Sequence, residues 1–232
     1  RDLILIHEKT SLDLDFCLKN GAIDFGRKVA KALKAGFVVL DKDHGCSRIV
    51  YKDQENHRIL TFDFVDFRGK DLKDDLRKRD FTINTLVMRL GDLGGGILDY
   101  FGARKDIAKK IVRVVNNDSF DDDPLRIMRA FSLSAIFDFK IAPSTMRLID
   151  KKKEALKGVA GERLRDELFK ILDVGCAWKY LKLMDQHDVL EMVIPQIVVM
   201  HNVAQGGYHH LDVWGHSLET VKQLEKLLLQ LK

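Results

Sequence analysis

Two carboxylates stand two residues apart near the start of the chain. Residues 11–16 are Ser-Leu-Asp-Leu-Asp-Phe, so Asp13 and Asp15 alternate with apolar side chains. Such alternation predicts a β-strand, in which residues i and i+2 point to the same face. Adjacent carboxylates repel each other unless a cation lies between them, and Mg²⁺ prefers oxygen ligands of this kind. The pattern predicts either a magnesium site or a solvated strand whose outer face is acidic.

A third carboxylate lies in a second alternating segment. Residues 59–67 are Ile-Leu-Thr-Phe-Asp-Phe-Val-Asp-Phe, and Asp63 stands in the middle of this apolar run. An unpaired charge in such surroundings is costly. We therefore expect the two acidic strands to contribute to one shared site.

Two further blocks combine charged and polar residues. Residues 79–84 are Arg-Asp-Phe-Thr-Ile-Asn and follow a charged run, 70–80, that we expect to open a helix; a solvated helical face is the alternative. Residues 122–126 are Asp-Asp-Pro-Leu-Arg, and an acidic cap followed by proline is typical of a helix start. Since Asp123 and Arg126 are three residues apart, we expect them to share one face of a helix.

An Asp–Arg pair on a rigid helix has the chemistry to select bases. A carboxylate accepts hydrogen bonds and a guanidinium donates them, whereas cytosine and adenine present an amino donor beside a ring-nitrogen acceptor. Guanine and uracil present the reverse on their Watson–Crick edges. Asp123 and Arg126 are thus predicted to select C and A without a nucleic-acid template.

These motifs, beginning with Arg1-Asp2 and running in order over roughly the first two thirds of the chain, resemble the class II tRNA nucleotidyltransferase and bacterial poly(A) polymerase family of the polymerase-beta superfamily. The resemblance implies catalytic roles for Asp13, Asp15 and Asp63. It also implies two Mg²⁺ ions held by Asp13 and Asp15. The nucleotide-binding positions implied by the resemblance are Arg1, Asp2, Arg79, Asp80, Asn84, Asp123, Arg126 and Arg129, with Arg79 assigned to the triphosphate.

The activity implied by the resemblance is template-independent addition of C and/or A to the 3′ end of tRNA, from CTP and/or ATP, with release of pyrophosphate. A poly(A) polymerase that acts on other RNA 3′ ends is the alternative. A non-catalytic RNA-binding module is a third, remote one, since it would not need the three carboxylates. Two further features bear on the match to the family. Ser132-Leu133 stand where the family usually has Arg-Phe, and the family's glycine-rich turn is expected before Arg1.

The connection after the Asp63 strand bears on which nucleotides are added. In CCA-adding relatives a sizeable flexible loop usually separates that strand from the Arg-Asp-Phe-Thr block. Here residues 67–69 are followed almost at once by residues 70–76 and the block itself. This short connection predicts that only part of the CCA end is added, either CC or the final A.

Composition bounds the class of protein. The chain has 232 residues, of which 46% are apolar and 32% charged, and no apolar stretch is long enough to span a membrane. The net charge of +4 is a mild indication of a polyanionic partner. Three scattered cysteines, Cys17, Cys46 and Cys176, favour reduced thiols and a cytoplasmic location. No obligatory protein partner is inferred.

The predicted fold class is α+β. We expect a small mixed β-sheet nucleotidyltransferase head at 1–103, a helical neck with the nucleotide-selecting motif at 104–175, and a helical RNA-binding body at 176–232. Strands are expected at 37–40 and 49–51, and a helix at 23–33. No strand is expected after 111–115, and the later helices are predicted at 124–137, 143–156, 161–173, 177–186 and 215–230.

Histidines and lysines in the second half suggest two further sites. The His-rich stretch 208–216 and the His187-Asp188 dyad are similar to HD-type metal-dependent phosphohydrolases, but too few further ligands follow, so helical packing is the alternative. The basic run 151–153 could contact acceptor-arm phosphates, or it could be solvated.

Overall fold

The computed structural model describes residues 12–53, 58–91, 96–206 and 210–231. The chain divides into two compact units, residues 1–79 and 80–232. The division between these compact units falls after Arg79. The assignment of head, neck and body roles to 1–103, 104–175 and 176–232 stays a prediction.

The first unit is a four-stranded mixed sheet with two helices. Its elements in chain order are β1 (Leu12–Leu18), α1 (Ala22–Leu33), β2 (Gly36–Asp41), β3 (Cys46–Lys52), β4 (Ile59–Asp66) and α2 (Leu72–Arg77). The strand order is β1-β4-β3-β2. β1 runs parallel to β4, while β3 is antiparallel to both β4 and β2. The strands and the helix predicted before Asp63 are confirmed, within one to three residues at each end.

One face of this sheet packs on α1 and the other does not. Ala22 and Ala30 of α1 are buried against Ile49 of β3 and Phe64 of β4. The approach is close, because a Cβ on Gly26 of α1 would lie 2.7 Å from the Ser47 hydroxyl oxygen. Since side chains alternate along a strand, Asp13, Asp15 and Asp63 are directed to the opposite face.

The second unit is mainly helical. Its elements are α3 (Ala103–Ala108), β5 (Ile111–Val112), α4 (Ser119–Asp122), α5 (Arg126–Phe137), β6 (Lys140–Ile141), α6 (Pro143–Lys152), α7 (Gly161–Leu172), α8 (Ala177–Gln186), α9 (Leu190–Val193) and α10 (Val213–Gln230). Short 3₁₀ segments lie at Thr82–Asn84, Lys153–Gly158 and Pro195–Met200. The predicted α+β class is confirmed.

α5 is the central helix of this unit. Residues Ile127, Met128, Ala130 and Phe131 are fully buried, so several sides of the helix are covered. α5 packs against α7, and contacts α8 and the β5 strand. An almost wholly buried helix provides the rigid support that a selecting motif at its start requires.

The predicted later helices agree with the structure to within two residues at each end, apart from the one at 143–156. The helix predicted at 143–156 changes to 3₁₀ geometry after Lys152. The last helix, α10, begins at Val213, two residues before the predicted start at 215. The Asp212 carboxylate caps it there by accepting a hydrogen bond from the Gly215 N–H at 2.7 Å. The expectation that no strand follows 111–115 is wrong, since β5 pairs in parallel with β6. A two-residue ladder of this kind leaves no periodic pattern in the sequence.

None of the helices in the described part of the chain combines the length and the apolar character needed to cross a membrane.

Candidate active site

Three aspartates of β1 and β4, Asp13, Asp15 and Asp63, lie side by side on the face of the sheet that α1 leaves uncovered. In the parallel register Asp15 is opposite Asp63, and Asp13 is opposite Thr61. Asp13 and Asp15 are exposed, and β1 is an edge strand. The sheet topology therefore brings together the two acidic strands that the sequence pattern indicated.

The Asp63 carboxylate pairs with a positively charged side chain. Arg48 on β3, its register neighbour, donates from Nε to Oδ1 and from Nη2 to Oδ2, both at 2.7 Å. These hydrogen bonds, with the negative charges of Asp63 and Asp13, raise the pKa of Arg48 above its usual value although burial opposes the shift. The cost of a charge in this apolar run is thus offset by Arg48 as well as by any cation that Asp13 and Asp15 bind.

Two carboxylates of this face, Asp13 and Asp15, are suitable ligands for a magnesium ion. In the described ranges no group of three or more His, Cys, Asp or Glu side chains is arranged to hold a metal ion. Asp13 and Asp15 nevertheless supply the hard oxygen ligands that Mg²⁺ takes, and Mg²⁺ commonly completes its shell with water and substrate phosphates. Each Asp63 oxygen accepts one hydrogen bond from Arg48 and retains a lone pair, so Asp63 could join such a shell without releasing Arg48.

Arg79, predicted to bind the triphosphate, is held by a carboxylate that sequence reasoning missed. Asp75 of α2 is buried, and its Oδ1 accepts the Arg68 N–H at 3.0 Å. Its Oδ2 lies 3.4 Å from the Arg79 Nη2. The helix expected to begin in the charged run instead lies inside it and ends at Arg77, with the Asp71 carboxylate as its N-cap.

Asp80 has a structural role in the second unit. Its buried carboxylate accepts the Phe81 N–H at 2.7 Å and the Asn84 amide at 2.8 Å through Oδ1. Arg129 binds Oδ2 from Nε and Nη2, at 3.0 and 2.7 Å. Burial alone would raise the pKa of Asp80, but the Arg129 charge and these hydrogen bonds outweigh it and hold the pKa below its usual value. Asp80 thereby orients Asn84 and Arg129, both predicted to bind the nucleotide.

The same network explains how Ser132 is accommodated. Arg129 lies 3.8 Å from Glu167 of α7, and the Ser132 hydroxyl donates to the other oxygen of that carboxylate. Glu167 is buried and also binds Lys170 at 2.7 Å. Ser132 stands where the family usually has arginine. Its short side chain therefore donates a hydrogen bond to the buried Glu167 carboxylate.

Asp123 and Arg126 do not share one helix, contrary to the prediction. Asp123 has extended backbone at the end of α4, and α5 begins only at Arg126. Arg126 is buried, and its Nη1 donates to the carbonyl and hydroxyl oxygens of Ser119 at 3.2 and 3.1 Å. Asp123 accepts the Leu125 N–H at 3.1 Å on one oxygen and the Arg163 Nη2 at 2.9 Å on the other. Each residue is thus oriented by a separate partner.

Two histidines of the second half, His187 and His201, contact carboxylates. His187 is 2.7 Å from Asp150, and His201 is 3.0 Å from Asp185. His187 and Asp188 do not act as a dyad, since Asp188 accepts from Lys153 at 2.6 Å. These contacts favour packing over the metal-site interpretation, and part of the His-rich stretch, residues 208 and 209, lies outside the described residues.

The basic run is also partly engaged. Lys152 pairs with Asp121 and Lys153 with Asp188, both at 2.6 Å. Arg1 and Asp2, predicted to bind the nucleotide, lie outside the described residues.

The residues that sequence reasoning missed have one property in common. Each holds a predicted site residue from a segment distant in sequence or from a neighbouring turn: Arg48, Asp75, Ser119, Arg163 and Glu167. Only Asp75 carried a local signal, because it stands four residues before Arg79 and so lies one helical turn away.

A four-stranded mixed sheet with paired aspartates on its uncovered face, followed by a helical unit with an Asp-Asp-Pro-Leu-Arg turn, defines the class of polymerase-beta-type nucleotidyltransferases. The sequence matches the poly A polymerase head domain over residues 1–113. It also matches the probable RNA and SrmB-binding site of polymerase A over residues 138–200. The chain belongs to the class II tRNA nucleotidyltransferase and poly(A) polymerase family.

Several characterised relatives are similar to it. A CC-adding tRNA nucleotidyltransferase of Geobacter sulfurreducens is 37% identical over 79% of this chain and 41% of the relative. An A-adding tRNA nucleotidyltransferase of Deinococcus radiodurans is 31% identical over 86% and 45%. The solved structure of the Thermotoga maritima CCA-adding enzyme complexed with tRNA matches with a TM-score of 0.73 and 32% identity, over 84% of this chain and 46% of that one. The chain spans less than half the length of each.

Proposed function

We propose that this chain carries the catalytic and nucleotide-selecting parts of a template-independent nucleotidyltransferase that adds C and/or A to the 3′ end of tRNA. The substrates are CTP and/or ATP and the tRNA acceptor end. The observation that supports the proposal best is the pair of exposed carboxylates, Asp13 and Asp15, beside Asp63 in the sheet register. A non-catalytic RNA-binding module has no use for this arrangement.

In the proposed reaction the 3′-hydroxyl oxygen of the RNA attacks the α-phosphorus of the nucleotide. A new P–O bond forms, the bond to the β-phosphate breaks, pyrophosphate leaves, and the hydroxyl proton is lost. Two Mg²⁺ ions, bound through Asp13 and Asp15, would neutralise charge on the attacking and leaving oxygens. Such a reaction depends mostly on positioning and charge, with little covalent work for the protein.

The remaining residues of the proposal bind and orient. Arg79, held by Asp75, binds the triphosphate. Asn84 donates its amide N–H to Asp80, so its carbonyl oxygen is directed away from that carboxylate and serves as an acceptor toward the nucleotide. Arg129 is a further nucleotide contact, placed by the same carboxylate.

Base selection is assigned to Asp123 and Arg126. Asp123 accepts from the amino group of C or A, and Arg126 donates to the adjacent ring nitrogen. Replacing Asp123 with Ala should lower C and A incorporation and weaken the rejection of U and G, because the acceptor for the amino group is lost. If misincorporation is unchanged with Arg126 also replaced, base selection lies elsewhere.

The deciding experiment is nucleotide addition by the purified full chain. tRNA transcripts that end at successive positions of the 3′ terminus are incubated with CTP, ATP or both, with Mg²⁺, and the products are resolved to single nucleotides. We expect addition that stops at or before the complete CCA end. No addition to any transcript would contradict the proposal.

Poly(A) polymerase activity is the second candidate, because the first family match is to a poly A polymerase head domain. It predicts long A tails on RNA other than tRNA, with no use of CTP. The cytoplasmic location expected from the sequence belongs to the same proposal, and three free cysteines suit a reducing compartment.

A further inference from the structure

We propose that Arg163 is a positioning residue for base selection, which holds the Asp123 carboxylate in the orientation that reads the amino group of C or A. This inference rests on the proposed function, because it specifies how one residue of that site is held. Arg163 lies in the first turn of α7, forty residues after Asp123 in the chain.

The geometry makes Arg163 the side chain that orients Asp123. Asp123 lies outside α5, in extended backbone with φ −153° and ψ 104°, so no helix fixes its side chain. One carboxylate oxygen accepts the Leu125 N–H at 3.1 Å, and the other accepts the Arg163 Nη2 at 2.9 Å. With a partner on each oxygen, the plane of the carboxylate is defined.

Both oxygens keep acceptor capacity in this arrangement. An ionised carboxylate has about four lone-pair sites, and the two hydrogen bonds occupy two of them. An incoming amino group can therefore be accepted without breaking the Arg163 contact. The Asp123 side chain is about a third exposed, so it is accessible to a ligand.

The described contacts of the Arg126 guanidinium are with Ser119 and Asp122. Its Nη1 is bonded to Ser119 at 3.1–3.2 Å, and the helix that carries it begins after Asp123. The two proposed reading groups thus have different described partners, Ser119 for Arg126 and Arg163 for Asp123. Loss of Arg163 should disturb the acceptor and leave the donor in place.

The test compares Arg163→Ala, Arg163→Lys and the matched control Arg165→Ala in the full chain. Arg165 lies on the same helix, is more than half exposed, and pairs only with the adjacent Asp166 in the described contacts. The readout is kcat/KM for CTP, ATP and UTP on a tRNA transcript, together with the melting temperature.

We expect Arg163→Ala to reduce kcat/KM for CTP and ATP by about tenfold, with little change for UTP. Displacement of the Asp123 carboxylate weakens binding only of those bases whose amino group it accepts. Arg163→Lys should restore part of the preference, since a lysine donates to one oxygen without the planar guanidinium. Arg165→Ala should behave like the wild type.

Two results would overturn the inference. In the first, Arg163→Ala keeps the wild-type ratio between CTP and UTP. In the second, all three nucleotides lose efficiency equally as the melting temperature falls, which would indicate a structural role only.

Failure of the proposed function is distinguishable from failure of this inference. If the wild-type chain transfers no nucleotide, the proposed function fails, and equilibrium binding of CTP, ATP and UTP replaces turnover as the readout. A wild-type preference for CTP or ATP over UTP that Arg163→Ala loses would support the inference. Equal binding of all three by the wild type, or a preference that the variant keeps, would overturn it.

Discussion

Arg48 and Asp63 face each other across neighbouring antiparallel strands and share two parallel hydrogen bonds of 2.7 Å. Bidentate Arg–carboxylate pairs of this kind are stronger than single contacts and fix both side chains in one plane. The pair stands next to Asp15 in the sheet register. Arg48 thus brings a positive charge to the face of the sheet that carries the three aspartates.

A double-mutant cycle should measure this pair. Arg48 is 43% exposed and Asp63 24% exposed at the side chain, so we expect a coupling free energy of about 1 kcal/mol from Arg48→Ala, Asp63→Ala and the double variant. The measurement is urea unfolding at neutral pH. Additive effects of the two substitutions would show that the hydrogen bonds contribute no net stability.

Substitution of either catalytic aspartate should lower the rate of nucleotide transfer without lowering RNA affinity. Asp13→Ala and Asp15→Ala should each reduce nucleotide transfer at least about a hundredfold, because charge stabilisation at the reacting phosphate is lost. RNA affinity should change little, since it comes mainly from phosphate contacts with basic groups.

Transfer is followed on a gel and RNA binding by filter retention. Asp43→Ala is a suitable control, because Asp43 is an exposed turn residue of the same unit. Turnover near the wild-type rate in either variant would rule out the metal assignment.

Asp80→Asn should destabilise the second unit by about 2 kcal/mol at pH 7, because the charged hydrogen bonds to Asp80 are lost while Arg129 keeps Glu167 at 3.8 Å. The folded-state pKa of Asp80 is lowered, so its contribution is fully present above the unfolded pKa and is lost as pH falls through the folded pKa. The stability difference between wild type and variant should therefore shrink below about pH 4.

Urea unfolding at a series of pH values measures this difference. Asp166→Asn, at an exposed position of the same unit, serves as the control and should show no comparable pH dependence of the difference. A wild-type advantage that stays constant down to pH 2 would contradict the role assigned to Asp80.

Local patterns predicted much of the fold. Alternation identified β1 and β4, and apolar spacing identified the helices from 126 onward, because both signals arise within a few residues. Pairing between distant segments has no such signal. The parallel register of β1 with β4, and therefore the neighbourhood of Asp15 and Asp63, depends on contacts nearly fifty residues apart.

The candidate site shows the same limit. Asp123 followed by proline is a good local signal for a helix start, yet the helix begins at Arg126. Tertiary contacts decide the outcome, because Arg163 and Ser119 bind the two residues that the local pattern had placed on one face. Partners such as Arg48 were missed for this reason, since nothing in a single strand indicates which residue will stand opposite.

The connection between β4 and α2 bears on which nucleotides the protein adds. β4 ends at Asp66 and α2 begins at Leu72, so five residues, 67–71, join them. Two of the five are also held in place, because the Phe67 N–H donates to the Leu18 carbonyl at 2.7 Å and the Arg68 N–H donates to Asp75. Little chain is left at this point to change shape between one nucleotide and the next.

We therefore expect the protein to add only part of the CCA end, either CC or the terminal A. A pocket that must accept C twice and then A needs a segment able to rearrange, and this connection is short and tied to both β1 and α2. Relatives of the CC-adding and A-adding kinds have similar identity to the chain, so the similarity leaves the choice between them open.

The measurement is product length on a sequencing gel, from tRNA lacking all three nucleotides and from tRNA ending in CC, each with CTP and ATP together. Extension by two nucleotides on the first substrate alone would identify CC addition, and extension by one on the second alone would identify A addition. Efficient extension through C, C and A by this protein would refute partial activity and would leave the nucleotidyltransferase assignment in place.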